Sequence, residues 1–204
     1  MIKKINIFKL TAIVIGTLMN VFAIAQDSAK SNGTTYRVSM NMGVGKGYPQ
    51  TPNEGGIGGG LSLGIQQKKR IYEFGIRAVG EFDLFNSYNV DNTIQSVDVT
   101  FGKFIERKYF FCSINAGVGL VTSTERGLFI SSEGGLFGTS DYERLRHTVI
   151  GMPISAKILL VSNNVYALGI EVFVNLNKTN TFFGINLCNQ FGNFGKVKSK
   201  KKTK

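Results

Sequence analysis

The chain has 204 residues, two cysteines, one histidine and no tryptophan, and carries a formal net charge of +11. That charge is unevenly spread: three lysines lie in the first nine residues and six in the last nine, so the body between them holds only +2. A near-neutral body excludes a nucleic-acid surface, and one histidine with no C-x-x-C pair excludes the usual zinc sets, so no metal or cofactor is expected.

Residues 1–25 read as a signal peptide. Lys3, Lys4 and Lys9 precede an apolar run from Leu10 to Ile24 that closes on Ala23-Ile24-Ala25. The run is short for a membrane-spanning helix, which needs about 20 residues. Cleavage after Ala25 leaves a mature chain of 179 residues, one domain in size. Residues 26–35 form a short N-terminal segment.

From Tyr36 onward the pattern has period two, not helical periodicity. The first segment, "YRVSMNMGV", sets Tyr36, Val38, Met40, Met42 and Val44 against Arg37, Ser39, Asn41 and Gly43. The second contains "GGIGGGLSLG", six glycines in ten residues. It fits neither the dinucleotide fingerprint nor the P-loop. Ile57, Leu61, Leu63 and Ile65 share one parity, while Gly58, Gly60, Ser62 and Gly64 take the other, as in a strand with one greasy and one very small face. The third, "YEFGIRAVGEF", sets Tyr72, Phe74, Ile76, Ala78 and Phe82 against Glu73, Arg77, Val79 and Glu81. The fourth sets Val97, Val99 and Phe101 against Ser96, Asp98 and Thr100. The fifth sets Phe110, Cys112, Ile114 and Val118 against Ser113, Asn115 and Gly117. The sixth sets Ile150, Met152, Ile154 and Ile158 against Gly151, Ser155 and Lys157. The seventh sets Tyr166, Leu168, Ile170 and Val172 against Ala167, Glu171 and Asn175. The eighth sets Phe183, Ile185 and Leu187 against Gly184, Asn186 and Cys188. Cys112 and Cys188 thus fall on opposite faces, and no disulfide is expected.

Each segment has about the 9–11 residues with which a tilted strand crosses a bilayer. Short links ("QKKR", "IERK", "VSNN") follow the second, fourth and sixth segments, and long ones follow the first, third and fifth. "LNKTN" after the seventh is short where length is expected. An even strand count with this alternation is the layout of an outer-membrane barrel with both termini on the periplasmic side. A soluble eight-stranded barrel also alternates, with its apolar face inside. The other face here is mostly Gly, Ser, Asn and Ala, which suits a narrow interior better than a solvated exterior. Aromatics also collect at segment ends: Tyr36, Tyr72, Phe101, Phe110, Tyr166 and Phe191 at the short-link end, Phe82 and Phe183 at the other. That is the pattern of an interfacial girdle.

With "GMPIS" (151–155), "LGIEVF" (168–173) and "FGINL" (183–187), the chain resembles the small eight-stranded outer-membrane barrels of OmpA/OmpX type, in the variety common in Bacteroidetes. The resemblance implies an all-β, eight-stranded, antiparallel up-and-down transmembrane barrel over residues 36–191. It also implies the outer membrane of a Gram-negative bacterium, contact with outer-membrane lipid and lipopolysaccharide, and a monomer. Residues 192–204 read as a disordered basic tail. Such barrels often end at an aromatic residue, whereas thirteen residues follow Phe191 here.

Three groups are candidate sites. Arg37, Glu73, Arg77, Glu81, Asp98, Lys157 and Glu171 share the inner face, where scarce water makes opposite charges pair. Lys157 and Glu171 are on adjacent segments. The alternatives are a satisfied polar core that plugs the barrel and an ion path. His147 is the only histidine. Lipid A deacylases among small barrels place a serine on the same face as their histidine, but Val149 stands two residues on, so no catalytic group is expected. Finally, the stretch from Thr122 to Arg146 reads as the longest loop and contains "GLFISS" and "GLFGTS". Leu128, Phe129, Leu136 and Phe137 are apolar there. They form either the two halves of a hairpin extending the fifth and sixth strands or a patch for an extracellular protein or lipid partner. Together these readings favour a structural or adhesive barrel. The alternatives are a soluble periplasmic barrel holding an apolar ligand and a lipid A-modifying enzyme.

Overall fold

A computed structural model describes residues 34–48, 56–81, 87–88, 92–132 and 139–194. The N-terminal segment read as a signal peptide, Phe82, Leu136, Phe137 and residues 195–204 lie outside these. Eight strands follow one another: β1 (Thr34–Tyr48), β2 (Gly56–Gln67), β3 (Arg70–Glu81), β4 (Thr93–Glu106), β5 (Phe110–Ser132), β6 (Thr139–Val161), β7 (Tyr166–Asn177) and β8 (Thr181–Gly192). Each pairs antiparallel with the next, and β8 pairs with β1, so the sheet closes into an up-and-down barrel. Ser87–Tyr88 adds a two-residue parallel bridge onto Thr139–Ser140.

The register fixes the shape. A walk across the strands from Tyr36 passes Ile65, Tyr72, Phe101, Ala116, Ile154, Val174 and Phe183 and returns to β1 at Lys46, ten residues from its start. With eight strands this stagger sets a tilt of about 40° and a backbone radius of about 8 Å. Only side chains of limited size fit inside, and β2 shows how the space is shared. Gly58, Gly60 and Gly64 pair with Val79, Arg77 and Glu73. A Cβ at Gly60 would come within 3.0 Å of Arg77 Cγ and 2.7 Å of the Ile76 carbonyl oxygen. The glycine-rich strand is therefore the floor on which the large inner side chains of β3 lie.

Burial is inverted relative to a soluble barrel. Outward apolar side chains are open on every wall, with Met42 71%, Ile114 69% and Ile150 74% exposed, whereas charged and amide side chains are enclosed. Cys112 is on the outer face and Cys188 on the inner, and both are free.

Two boundaries differ from the sequence reading. β5 and β6 run to 23 residues each, so the stretch read as a loop from Thr122 to Arg146 is mostly strand. Above the rim the outward residues turn polar, which erases the apolar alternation while the backbone pairing continues. At the C terminus, Gly192 completes β8, and Phe194 is buried with its N–H donating to the Asn164 carbonyl at 2.8 Å. The segment after Phe191 thus begins as structured chain, because an aromatic ring is anchored there.

Candidate functional site

The inner faces stack three layers. At the short-turn end, Ile71, Phe111, Leu159, Ala167, Cys188 and Phe194 form one buried apolar cluster, with Phe104 packed against it. At the long-loop end, Val79, Ile94, Val121, Phe173 and Phe182 form a second. Between them lies the ionic layer, in which Arg77 donates to Glu171 Oε1 at 2.7 Å and to Asp98 Oδ2 at 3.3 Å. Lys157 donates to both oxygens of Glu73 at 2.9 Å. Lys157 and Glu171 are direct register partners, yet their closest approach is 3.9 Å, and Lys157 is drawn instead across the interior. Amides and a hydroxyl complete the carboxylates. Asn115 donates to Glu73, Asn41 and Asn186 donate to Glu171, and Ser96 and Asn175 donate to Asp98. Burial of these charges without such partners would be prohibitive.

Arg37 stands apart from that layer, in the short-turn cluster. Its guanidinium donates to Glu106 Oε2 at 2.6 Å and to Gln190 Oε1 at 3.3 Å. Its faces are covered by Phe111 and Phe194, with ring centroids 4.5 and 4.0 Å from Cζ. Glu106, Gln190 and the apolar layers are absent from the sequence reading. Parity does turn Phe111, Phe173 and Phe182 inward, and that was the available signal. Glu81 ends β3, but its side chain lies outside the described residues.

Of the aromatic residues at the short-turn end, the stagger sets Tyr36, Phe110, Tyr166 and Phe191 at about one height and carries Tyr72 and Phe101 farther up the wall. Tyr166 and Phe191 are neighbours at 5.2 Å, as are Tyr72 and Phe101 at 6.0 Å. Tyr109, exposed in the turn after β4, adds a ring the sequence reading omits. Phe183 stands exposed toward the other end.

Beyond Thr124, β5 and β6 leave their outer neighbours and continue as a two-stranded ribbon. Its register slips between Arg126 and Phe129 and again before Ser131. Phe129 packs edge-on against Tyr142 at 5.5 Å, and Leu128, Phe129 and Ile130 are exposed. His147, opposite Ser123 in the register, sits at the ribbon base and is also exposed. Among the described residues no group of His, Cys, Asp and Glu is arranged to hold a metal.

No family model matches this chain, and no curated protein is similar to it in sequence. In structure it is similar to Neisserial surface protein A, with a TM-score of 0.55 and 10% identity over 80% of this chain and 98% of that one. It is also similar to Ail, the attachment invasion locus protein of Yersinia pestis, with a TM-score of 0.52 and 9% identity over 80% of this chain and 100% of that one. Ail in complex with the heparin analogue sucrose octasulfate gives 0.51. These are eight-stranded outer-membrane β-barrels, and the fold is theirs. The Bacteroidetes part of the resemblance finds no support among them.

Proposed function

We propose that this chain is an integral outer-membrane barrel with a plugged lumen, whose contacts with the outside are made by the β5–β6 ribbon. The observation that carries this is the inverted burial: a belt of exposed Ile, Leu, Val and Phe surrounds an ion-paired interior. In water such a belt would drive aggregation. In a bilayer it meets acyl chains, while the closed sheet satisfies its backbone groups internally. The short turns and both strand termini then face the periplasm, and the residues before Gln26 direct export. Aromatic rings at the short-turn end suit the inner membrane interface.

An apolar layer at each end of the ionic layer supports a plug over an ion path, since a hydrated ion would have to cross both. It also disfavours the soluble reading, in which an apolar ligand would need the space these side chains fill. A structural or adhesive role without catalysis fits best. Among chains of this fold, one is a surface protein and another an attachment invasion locus protein. The exposed Leu128 and Phe129 belong to the candidate docking patch, whose other two members, Leu136 and Phe137, lie outside the described residues.

Cell fractionation with a gel comparing boiled and unboiled samples tests the reading. The folded chain should sediment with outer membranes and migrate faster unboiled. Recovery in the soluble periplasmic fraction would return the case to a ligand-binding barrel.

A further inference from the structure

The outer face of β3 and β4 changes character toward the short turns. Ile76 stands opposite Val97, Phe74 opposite Val99 and Tyr72 opposite Phe101, all of them exposed. The next pair on this face is Arg70 and Lys103, also exposed. Like charges directly opposite each other on adjacent strands destabilise a sheet. Their other register neighbours, Gln67 and Ile114, neutralise neither. The nearest carboxylates on these strands, Glu73 and Glu106, are turned inward to Lys157 and Arg37. The turn between β2 and β3 adds Lys68 and Lys69. Phe104 N–H donates to the Lys69 carbonyl at 3.3 Å and pins that turn against β4. Lys68 takes a φ of 58°, a left-handed position that glycine or asparagine fills more easily, so its charge is carried at a cost in backbone strain. Arg107 and Lys108 follow β4. Among the described residues, the exposed cations of this end thus all lie in the sector from β2 to β5, and the turn at 162–165 has none.

We infer that Arg70 and Lys103 hold the phosphate of an anionic phospholipid in the inner, periplasmic leaflet, with its acyl chains along Phe74, Val99, Ile76 and Val97. The inference rests on the membrane reading above and on its orientation. At the rise of a tilted strand, both cations stand within about 5 Å of Tyr36 along the barrel axis, the height at which Tyr36, Phe110, Tyr166 and Phe191 ring the wall. Such rings mark the lipid–water interface, so the pair sits among head groups and not beyond them. Tyr72 and Phe101, with centroids 6.0 Å apart, come next, where the acyl chains begin. A phosphate between the two cations turns their repulsion into attraction, and a guanidinium fork beside an ammonium suits its oxygens. A zwitterionic head group brings its own cation to a sector already crowded with cations, whereas an anionic one relieves the excess. A soluble polyanion would meet Lys68, Lys69 and Lys108 at the turn tips and have no use for the wall above, and that continuity selects the amphiphile.

The test uses the folded full chain in a zwitterionic detergent, titrated separately with phosphatidylglycerol and phosphatidylcholine. Native mass spectrometry reads the fraction of chain carrying a lipid. The parent should prefer phosphatidylglycerol, and R70S/K103S should bind it at least about tenfold more weakly. R144S/R146S, with the same change of charge on the ribbon, should bind as the parent does. Equal affinity of the parent for both lipids, unchanged binding by R70S/K103S, or equal loss in R144S/R146S overturns the inference. So does full displacement by glycerol phosphate, which would assign the pair to a soluble anion. R70S/K103S relieves a repulsion and should keep the fast-migrating unboiled band of the parent. Loss of that band in this variant alone would mean that the protein itself holds the two cations, and overturns the inference as well. A parent chain without the band overturns the membrane reading itself, and is seen before any lipid is added.

Discussion

Lys157 Nζ lies 2.9 Å from each carboxylate oxygen of Glu73, reaching from β6 across the barrel interior to β3. Neither side chain meets water, so each charge depends on the other and on the amides around them. Removing one partner strands the other. Lys157→Met should cost about 3–5 kcal/mol, while pairing it with Glu73→Leu should recover most of the loss. Urea unfolding in lipid vesicles, followed by the heat-modifiable band, measures both. A single variant as stable as the parent would mean that water reaches this layer.

Phe194 closes the short-turn end by stacking on Arg37 and touching Phe111 edge-on at 6.3 Å. Phe194→Ala should destabilise the barrel by about 2–4 kcal/mol, combining lost burial with a lost cation–π contact. Ending the chain at Gly192 should cost at least as much, whereas removing residues 196–204 should leave stability unchanged. The same unfolding assay separates these outcomes.

The outer wall predicts sensitivity of another kind. Ile76→Arg on β3 and Ile170→Arg on β7 place a charge on the exposed apolar belt near mid-strand, at a cost of about 2–4 kcal/mol in a bilayer. The folded band in outer-membrane fractions should fall for both. Gly60→Arg should fail on the inner side, where the new side chain meets Arg77. Normal assembly of both isoleucine variants would contradict a lipid-facing belt.

Much of the wall is legible in the sequence because parity needs only neighbouring residues. Exterior positions alternate with Gly, Ser and Asn, and the charged inner residues stand out against them. What parity cannot supply is height. Lys157 hydrogen-bonds Glu73 on a distant strand and keeps a longer ion pair of 3.9 Å with its register partner Glu171, because the stagger brings distant strands level, and no local pattern encodes a ten-residue shear. The inner apolar layers were hidden for a related reason: an inward Phe111 or Phe182 resembles a lapse in alternation until both ends of the barrel are assembled. Glu106 read as part of a turn, although its carboxylate folds back to Arg37. The ribbon is the hairpin extension of the fifth and sixth strands that was one of two readings of this stretch, and its extent was not legible because its pairing persists after its apolar signal stops.

The cysteines report on face. Cys112 on the outer wall should react with a membrane-permeant maleimide in unfolded and lipid-embedded chain alike. Cys188, enclosed with the short-turn cluster, should react only after unfolding. Reducing and non-reducing gels should match. A mobility shift abolished by Cys112→Ser would place both thiols on one side of the sheet and refute the strand parity.

The ribbon tip separates two roles for the same side chains. Leu128 is 77% exposed, and Phe129 spends one face on Tyr142 and leaves the rest open. If these residues, with Leu136 and Phe137, dock a partner, replacing all four with Ser should abolish adhesion of whole cells. The barrel should still assemble, because its backbone hydrogen bonds close below the ribbon. If they chiefly hold the two halves of the hairpin together, the same change should loosen it. Protease added to intact cells would then cut between Thr122 and Arg146 faster than in the parent, with adhesion unchanged. Cleavage of this segment only after the outer membrane is opened would reverse the orientation, placing the ribbon in the periplasm and the basic turns of Lys68, Lys69 and Lys108 outside.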